Sequence, residues 1–346
     1  MQTSILPGTP DLPLVVQPEG GNSPAALMAW LNSHRQWLDE NLQRYGGLLF
    51  RGFEIHSAEE FQQVASVIAP KFLDYTRGTS PRSKVHGRVY TSTEAPRKIP
   101  IALHCELAYV DHYPDRIFFY CDTPPTHGGE TPIADMRSVY QAIDPNVRRR
   151  FEERGLRIIQ NVPGVKSWRN FRTWQQMFAT EDRADVERAC DNERIQHRWK
   201  PDGTLQLINT RPATIRHPQT GETIWFNSAH NFHDSWSWEF RRAGRPLLAL
   251  LTRLMEGRHR RRLKPEDFPN HCQFGDGGEI PREDIEHIRQ VLWNHAVLFA
   301  WQSGDVLLLD NLRIAHGRMP FRGPRRILVA MGTSAAAVEA AGAGAA

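Results

Sequence analysis

The sequence predicts a mostly β protein with helical insertions, built on a double-stranded β-helix (jelly-roll) core flanked by α-helices. Two observations support this fold class. Short apolar segments separated by Gly and Pro turns occur throughout the 346-residue chain, as is typical of strands in sheet-rich domains. Segments with helical spacing lie at the margins of these strands or in two insertions, at about 136–200 and 236–294.

One domain is expected, because neither an internal repeat nor a long linker divides the chain. Residues 1–22 are rich in Pro and Gly, which predicts an extended N-terminal arm. Residues 23–334 form the predicted jelly-roll domain with its helical insertions. Residues 335–346 are mainly small, and we expect them to form a disordered tail.

The domain is predicted to begin with two helices. The first covers about residues 24–44, with Ser23 as its N-cap and apolar residues spaced for one face. Two glycines end it, and a short apolar strand follows at 48–50. The second helix covers about 57–69 and begins with the capping box Ser57-x-x-Glu60.

The remaining elements follow the same patterns, although strand and helix signals alternate between 156 and 197 and allow no assignment there. Strands are predicted at 85–91, 101–109, 116–121, 129–134, 205–208, 214–217, 223–227, 296–301, 305–310 and 326–331. Further helices are predicted at 136–153, 236–254 and 282–294.

Composition argues against several functional classes. The chain has 43 basic and 39 acidic side chains, and its basic runs at 148–150 and 258–262 lack interleaved aromatics, so nucleic-acid binding is not expected. No signal peptide or membrane-spanning apolar run is predicted, so we expect no membrane partner. The four scattered cysteines favour a reduced, cytoplasmic protein.

His104-Cys105-Glu106 and the distant His316 match a 2-His-1-carboxylate metal site. In a strand, residues two apart point to the same face, so His104 and Glu106 can bind one ion while Cys105 points away. Such a site holds Fe(II) and leaves positions open for a cosubstrate and O2. The His-x-Glu pattern alone is common, and His316 also has an ordinary interpretation as a hydrogen-bonded loop histidine.

Two further residues have suitable chemistry for binding a carboxylate. Arg326 lies on a predicted strand ten residues after His316, where a guanidinium can make two parallel hydrogen bonds to a carboxylate. A surface arginine on an edge strand is an equally good interpretation. Thr131 follows a Gly-Gly pair and offers a hydroxyl from which a carboxylate can accept a hydrogen bond.

These motifs resemble the TauD/TfdA (taurine dioxygenase-like) family of Fe(II)/2-oxoglutarate oxygenases. The chain is most similar to the branch of clavaminate-synthase-like and syringomycin-type amino-acid hydroxylases that have Glu in the metal triad. The matching segments follow the family's order and cover most of the chain from about 45 to 333: 89–94, 103–109, 121–125, 128–135, 224–227, 274–277 and 301–331.

The resemblance implies a ligand set and a cosubstrate site. It implies that Fe(II) is bound by His104, Glu106 and His316. It also implies that the distal carboxylate of 2-oxoglutarate, which is used together with O2, is bound by Thr131 and Arg326. Arg325 is the alternative to Arg326, because a shift of one residue in the preceding loop exchanges the two.

The chain departs from the family at two positions. Cys105 lies where this branch often has Asn, and Ala330 replaces an Arg that binds the anionic substrate in taurine-type members. Sulfonates and similar small anions are therefore not expected as substrates. Halogenating relatives have Gly or Ala at the position of Glu106, so the resemblance implies oxidation without halogenation.

Hydroxylation of an unactivated C–H bond of an amino acid in specialised metabolism is the leading functional hypothesis, with succinate and CO2 as coproducts. The amino acid would be free or tethered to a carrier protein. Desaturation or oxidative rearrangement of an amino-acid derivative is the alternative, and a non-catalytic jelly-roll binding module is a third hypothesis. The oligomeric state is open, with a homo-oligomer among the options.

Candidate substrate contacts are weakly specified, and each has a structural interpretation that is equally good. The candidates are Tyr90, Thr91, Ser92, Asn227, His230 and Arg313. Like Arg313, Arg77 and Arg82 could pair with a substrate carboxylate, but nothing in the spacing selects among these arginines.

Overall fold

The computed structural model describes residues 1–7, 9, 11–75, 78, 80–165 and 172–338. The strands of the first half are β1 (Gln2–Ile5), β2 (Leu14–Gln17), β3 (Gly47–Phe50), β4 (Lys71–Phe72), β5 (Lys84–His86), β6 (Val89–Thr91), β7 (Ile101–His104), β8 (Arg116–Thr123), β9 (His127–Gly128) and β10 (Ile133–Asp135). Those of the second half are β11 (Leu156–Val162), β12 (Gln196–Trp199), β13 (Leu205–Arg211), β14 (Ile215–Arg216), β15 (Thr223–Ile224), β16 (Asn270–Phe274), β17 (Val306–Asp310), β18 (Ile314–Arg318), β19 (Phe321–Arg322) and β20 (Arg326–Thr333).

Eleven α-helices lie entirely within the described residues and are numbered here, together with one 3-10 turn at Pro265–Asp267. The helices are α1 (Pro24–Ser33), α2 (Arg35–Tyr45), α3 (Ala58–Ile68), α4 (Met136–Ala142), α5 (Pro145–Arg154), α6 (Trp174–Phe178), α7 (Arg183–Asn192), α8 (Ala229–Phe232), α9 (Ser237–Arg242), α10 (Pro246–Arg262) and α11 (Arg282–Asn294). None of these helices is both long and apolar enough to cross a membrane.

A nine-stranded mixed sheet forms the largest layer. Its order is β1-β2-β3-β17-β8-β20-β6-β5, with β4 also paired to β20, and only β2 and β3 run parallel. Side chains alternate between its two faces. Phe118 and Leu308 pack with helices α1 and α3, whereas Phe119 and Leu307 belong to a separate core on the other face.

A three-stranded antiparallel sheet, β10-β18-β7, packs against that second face. Ile133 of β10 and Ile314 of β18 share a core with Phe119, Leu307 and Val329 of the main sheet. The two sheets therefore face each other across an apolar layer, and Phe119 and Ile327 of this layer lie beside His104 and His316.

The insertions build a separate layer. Strands β11, β12, β13 and β16 form an antiparallel sheet in the order β12-β13-β11-β16. Short strand pairs β14-β15 and β9-β19 complete the sheet structure. The architecture of several sheets flanked by helices agrees with the predicted fold class in outline. The prediction of a mostly β protein is wrong in its proportions, because more of the described residues lie in helices than in strands.

Local predictions had mixed outcomes. Helix α3 begins after Ser57, whose hydroxyl accepts from the Glu60 N–H as predicted, and α11 covers 282–294. The helix expected at 24–44 is broken at His34, which leaves the helical region of backbone space. No strand forms at 296–301 beyond a single bridge between Val297 and Ile133.

The two ends of the chain are also partly described. Residues 1–22, expected to form an extended arm, contain β1 and β2, and β2 pairs with β3 in the main sheet. Residues 335–338 of the predicted tail are helical, and residues 339–346 lie outside the described residues.

Candidate metal centre

Strands β7 and β18 bring two histidines together. They pair antiparallel with His104 directly opposite His316, and the two imidazole ring centroids are 4.5 Å apart. The pairing of these two strands thus brings together two residues that are 212 positions apart in the sequence. Phe119 of the main sheet packs on the His316 ring at 4.9 Å and forms an apolar wall behind it.

Glu106 lies beside the two histidines, but the strand alternation that was expected to orient it does not do so. Strand β7 ends at His104, so strand alternation does not orient the carboxylate. The backbone turns after Glu106, where Leu107 has a φ of 57°. Asn311 fixes this turn, because its side chain accepts from the Glu106 N–H at 2.7 Å and donates to the Glu106 carbonyl at 3.0 Å.

The three side chains have the geometry of a single ion site. Their ligand atoms all lie within 4.8 Å of one another, and His316 Nε2 is 3.7 Å from Glu106 Oε2. His104 Nδ1 lies 2.9 Å from the Ala102 carbonyl, which can only accept. Nδ1 therefore has the proton, and the Nε2 lone pair is free to bind a metal.

Electrostatics favours the protonation states that a metal ion requires. Burial alone would raise the pKa of Glu106, but Arg82 and the two histidines together hold it well below its usual range. Burial, followed by the nearby His104, lowers the pKa of His316 to about 4. At neutral pH the site therefore offers a carboxylate and a neutral imidazole, both suited to Fe(II).

Arg82 is the main member of the site that sequence reasoning did not select. Its guanidinium is 2.7 Å from Glu106 Oε2 and lies 4.1 Å over the Tyr75 ring. Its side chain is only 4% exposed. A lone arginine 24 positions before Glu106 has no spacing signal that reveals this contact. Arg77, the other arginine considered there, lies outside the described residues.

A small cavity of about 50 Å³ is lined by His104 and His316, here called its metal end, and by Arg318 and Arg325, here called its arginine end. Arg318 is buried and Arg325 is half-buried, and Arg325 Nε donates to the Gly129 carbonyl at 3.0 Å. Burial lowers the pKa of Arg325 to about 9 and that of Arg318 to about 10. Within the part of the chain that is described, neither guanidinium forms an ion pair with a carboxylate.

The neighbouring Arg326 occupies a different environment. Its side chain is 48% exposed and pairs with Asp122 at 3.2 Å. The strand register shifts between Arg326 and Ile327, and Ile327 rather than Arg326 lines the cavity. The cavity is therefore lined by the alternative arginine, Arg325, and not by the one first expected.

Thr131 lies where the motif predicts, in the wall of the same cavity. It is buried, and its Oγ1 accepts a hydrogen bond from Trp301 Nε1 at 3.0 Å. Because that contact uses a lone pair of the hydroxyl, the Thr131 proton remains available for an acceptor in the cavity.

Of the substrate candidates in strand β6 and after it, only Ser92 lines the cavity. The Tyr90 hydroxyl donates to Asp74 at 3.0 Å. The Thr91 hydroxyl donates to Glu94 at 3.2 Å and accepts from the Ser83 N–H. These two side chains serve local hydrogen bonds outside the cavity.

Three other candidates have structural contacts. Asn227 is buried and binds the Ala213 carbonyl, and Arg313 is buried against Asp135 at 2.7 Å. His230 Nε2 lies 2.6 Å from the Leu103 carbonyl, next to His104, and burial lowers its pKa to about 3. His230 therefore supports the backbone of β7, and the structure does not place these three side chains in the cavity.

Comparison with known proteins identifies the family. Residues 5–331 match the model described as "Taurine catabolism dioxygenase TauD, TfdA family". The chain belongs to this family. It is accordingly an Fe(II)/2-oxoglutarate-dependent dioxygenase, and the resemblance noted from the motifs is confirmed.

Similar curated proteins match almost the whole length of this TauD/TfdA-family chain. The dapdiamide synthesis protein DdaC of Enterobacter agglomerans is 36% identical over 328 residues, which cover 94% of this chain and 92% of DdaC. A clavaminate synthase-like protein of Arabidopsis thaliana is 29% identical over 331 residues, which cover 92% and 93% of the two chains.

Solved structures show the same fold at low sequence identity. PvcB from Pseudomonas aeruginosa has a TM-score of 0.52 at 16% identity, covering 94% of this chain and 87% of PvcB. AAD-2, solved with Mn(II) and N-oxalylglycine, has a TM-score of 0.53 at 12% identity, covering 96% and 98% of the two chains.

Proposed function

We propose that this dioxygenase binds Fe(II) through His104, Glu106 and His316 and hydroxylates an unactivated C–H bond of an amino-acid-type small molecule. The observation that carries the proposal is the convergence of the three ligand atoms within 4.8 Å, beside a cavity lined by Arg318 and Arg325, which have no described carboxylate partner. A metal ion with a dicarboxylate bound next to it fits both features.

For the cosubstrate we propose Arg325 as the anchor in place of Arg326. Arg325 lines the cavity together with Thr131, His104 and His316, whereas Arg326 faces solvent and Asp122. A half-buried guanidinium is stabilised by a carboxylate that makes two parallel hydrogen bonds to it. The distal carboxylate of 2-oxoglutarate matches this requirement, and the Thr131 hydroxyl is free to donate to the same group.

When bound, iron and 2-oxoglutarate supply the oxidising chemistry, in which O2 is consumed and succinate and CO2 are released. The protein's own residues prepare the site. Arg82 keeps Glu106 ionised and oriented, and the Ala102 carbonyl sets the tautomer of His104. Phe119 and Ile327 line the cavity with apolar surface and exclude water from it.

The substrate class is inferred from a biosynthetic relative of this chain. DdaC is described as a dapdiamide synthesis protein, and it matches this chain over nearly its full length. We therefore place the reaction in specialised metabolism of the antibiotic type, with a free or carrier-tethered amino acid as substrate. We also propose that the main sheet and the β10-β18-β7 sheet together form the double-stranded β-helix core.

The test is an aerobic assay of succinate release with Fe(II) and 2-oxoglutarate across a panel of amino acids and their carrier-protein thioesters. Mass spectrometry of the product then distinguishes hydroxylation, which adds one oxygen atom, from desaturation, which removes two hydrogens. Substrate-dependent succinate release that His104→Ala abolishes is expected. Equal release by wild type and His104→Ala would contradict the metal assignment.

A further inference from the structure

Helix α10 exposes an unusual amount of apolar surface. Its residues Leu247, Leu251 and Leu254 are 76%, 57% and 63% exposed. Seven of the ten large hydrophobic side chains recorded as exposed among the described residues lie in this helix or directly after it: Leu247, Leu248, Leu250, Leu251, Leu254, Met255 and Leu263. Scattered exposed leucines are ordinary, but this concentration on one helix is typical of an interface.

The helix is attached to the rest of the protein along one narrow stripe. Ala249 and Glu256 are its buried residues, and α9 is the element it contacts most. The Glu256 carboxylate accepts from the N–H and the hydroxyl of Ser237 at 2.6 and 2.9 Å, which secures the helix to the start of α9. The leucine face therefore points away from the protein without weakening this attachment.

A second copy of the same face would cover this surface. Two copies packed face to face would remove Leu247, Leu250, Leu251 and Leu254 of both from water, and burial of that surface is favourable by the ordinary hydrophobic effect.

We propose that α10 pairs antiparallel with α10 of a second copy of this chain, forming a two-fold symmetric dimer. The leucines at 247, 250, 251 and 254 are symmetric about the midpoint between 250 and 251. A two-fold axis through that midpoint places Leu247 opposite Leu254 of the partner subunit and Leu250 opposite Leu251 of the partner subunit. Such self-complementarity is what a symmetric dimer interface requires.

The basic residues in the last turn of the helix disfavour a parallel pair, while Arg245 at its start means that the antiparallel pair also retains some repulsion. Its last turn contains four basic residues, His259, Arg260, Arg261 and Arg262. In an antiparallel pair, these clusters lie at opposite ends, about 25–30 Å apart at 1.5 Å per residue. That separation exceeds the Debye length of about 8 Å at physiological salt. A parallel pair would bring the two clusters together, where they repel.

The test is the mass of the full-length protein in solution, by size-exclusion chromatography with light scattering. Wild type is expected as a dimer, whereas Leu247→Lys and Leu254→Glu are each expected as monomers, because each places two charges against leucines. An equimolar mixture of the two variants should form a dimer, since one Lys then faces one Glu and the other pair is Leu–Leu. Leu298→Glu, at an exposed leucine outside α10, is the control and should remain dimeric.

Circular dichroism and thermal unfolding establish that the variants are folded, as expected for substitutions at exposed positions. A wild-type monomer at about 200 µM would overturn the proposal, because a two-fold dimer of stable interface size is populated at that concentration. Dimeric single variants, or a mixture that stays monomeric, would overturn the antiparallel pairing. A wild-type monomer that binds vesicles of anionic phospholipid would overturn it in favour of a membrane-surface helix.

Discussion

The two ends of the cavity differ in how their charges are compensated. At the metal end, Glu106 has a partner within the protein, since Arg82 lies 2.7 Å away and both side chains are buried. At the arginine end, Arg318 is buried, Arg325 is half-buried, and both bind backbone carbonyls, with no ion pair to a described carboxylate. The negative charge at the metal end is thus compensated within the protein, whereas the positive charges at the arginine end have no described carboxylate to compensate them.

This difference separates the two kinds of ligand. Buried charges without a partner are costly, so a protein retains them where a ligand supplies the missing charge. The metal end has an excess of lone pairs from two histidines and a carboxylate. The arginine end has an excess of N–H donors. A divalent cation at one end and a dicarboxylate that reaches the other together satisfy both.

Removal of a ligand at the metal end should have the largest effect. His104→Ala is expected to abolish Fe(II) binding and to reduce succinate formation by about 1,000-fold or more, because the oxidation depends on the metal. Mn(II) titration monitored by electron paramagnetic resonance measures the binding directly. His86→Ala, at an exposed histidine of β5, is the control and should bind as wild type does. Equal Mn(II) affinity in both variants would contradict the assignment of the metal end.

Changes at the arginine end should distinguish two adjacent residues. Arg325→Met is expected to raise the KM for 2-oxoglutarate about 100-fold, because a charge-assisted pair contributes about 3 kcal/mol. Arg326→Met should change it by less than about 2-fold, as expected for an exposed ion pair. Initial rates of succinate formation at varied 2-oxoglutarate measure both. The reverse ranking would restore Arg326 as the anchor.

The charge partner of Glu106 is the next position to change. Arg82→Met leaves that carboxylate buried and unpaired, and we expect metal affinity to fall about 10- to 100-fold, as for other residues that orient metal ligands. Arg88→Met provides a matched control, because Arg88 pairs with Asp74 at the surface. Calorimetric titration with Mn(II) compares the two. An affinity unchanged in Arg82→Met would show that Glu106 needs no partner.

Arg313 should affect stability and leave both ends of the cavity unchanged. Burial alone would raise the pKa of Asp135, but hydrogen bonds from Arg137 and Arg313 hold it below its usual value. The stabilisation is therefore present at neutral pH and is lost as pH falls through the lowered pKa of Asp135.

Arg313→Met is accordingly expected to reduce the free energy of unfolding by about 3 kcal/mol at pH 7, with a smaller difference from wild type in acid. Urea unfolding at several pH values measures it. The KM for 2-oxoglutarate should be unchanged. A raised substrate KM without loss of stability would instead support the sequence-based hypothesis that Arg313 binds substrate.

The sequence predicted well those features that depend on local pattern or on an ordered series of motifs. Helix α11 and the cap of α3 follow from residue spacing. His104, Glu106 and His316 were selected because an ordered series of motifs surrounds them, since the His-x-Glu pattern alone is common. Their meeting point, however, depends on the register of β7 with β18 and on the Asn311 clamp, neither of which a linear pattern specifies.

Long-range contacts decide what the linear pattern leaves open. The choice between Arg325 and Arg326 depends on a register shift at the start of β20. Arg82 is recognisable only once Glu106 is beside it. Three polar residues that follow or lie near predicted strands make hydrogen bonds within the protein. Asn227 and His230 bind backbone carbonyls, and Arg313 binds the Asp135 carboxylate.

An anaerobic titration of the Fe(II)-loaded protein with 2-oxoglutarate, monitored by visible absorbance, tests the central claim most directly. Wild type and Arg326→Met are expected to develop a weak charge-transfer band that saturates at about one equivalent of iron-bound cosubstrate. Arg325→Met should need about 100-fold more 2-oxoglutarate for the same band. No band in wild type, or equal titration of the Arg325 and Arg326 variants, would contradict the account.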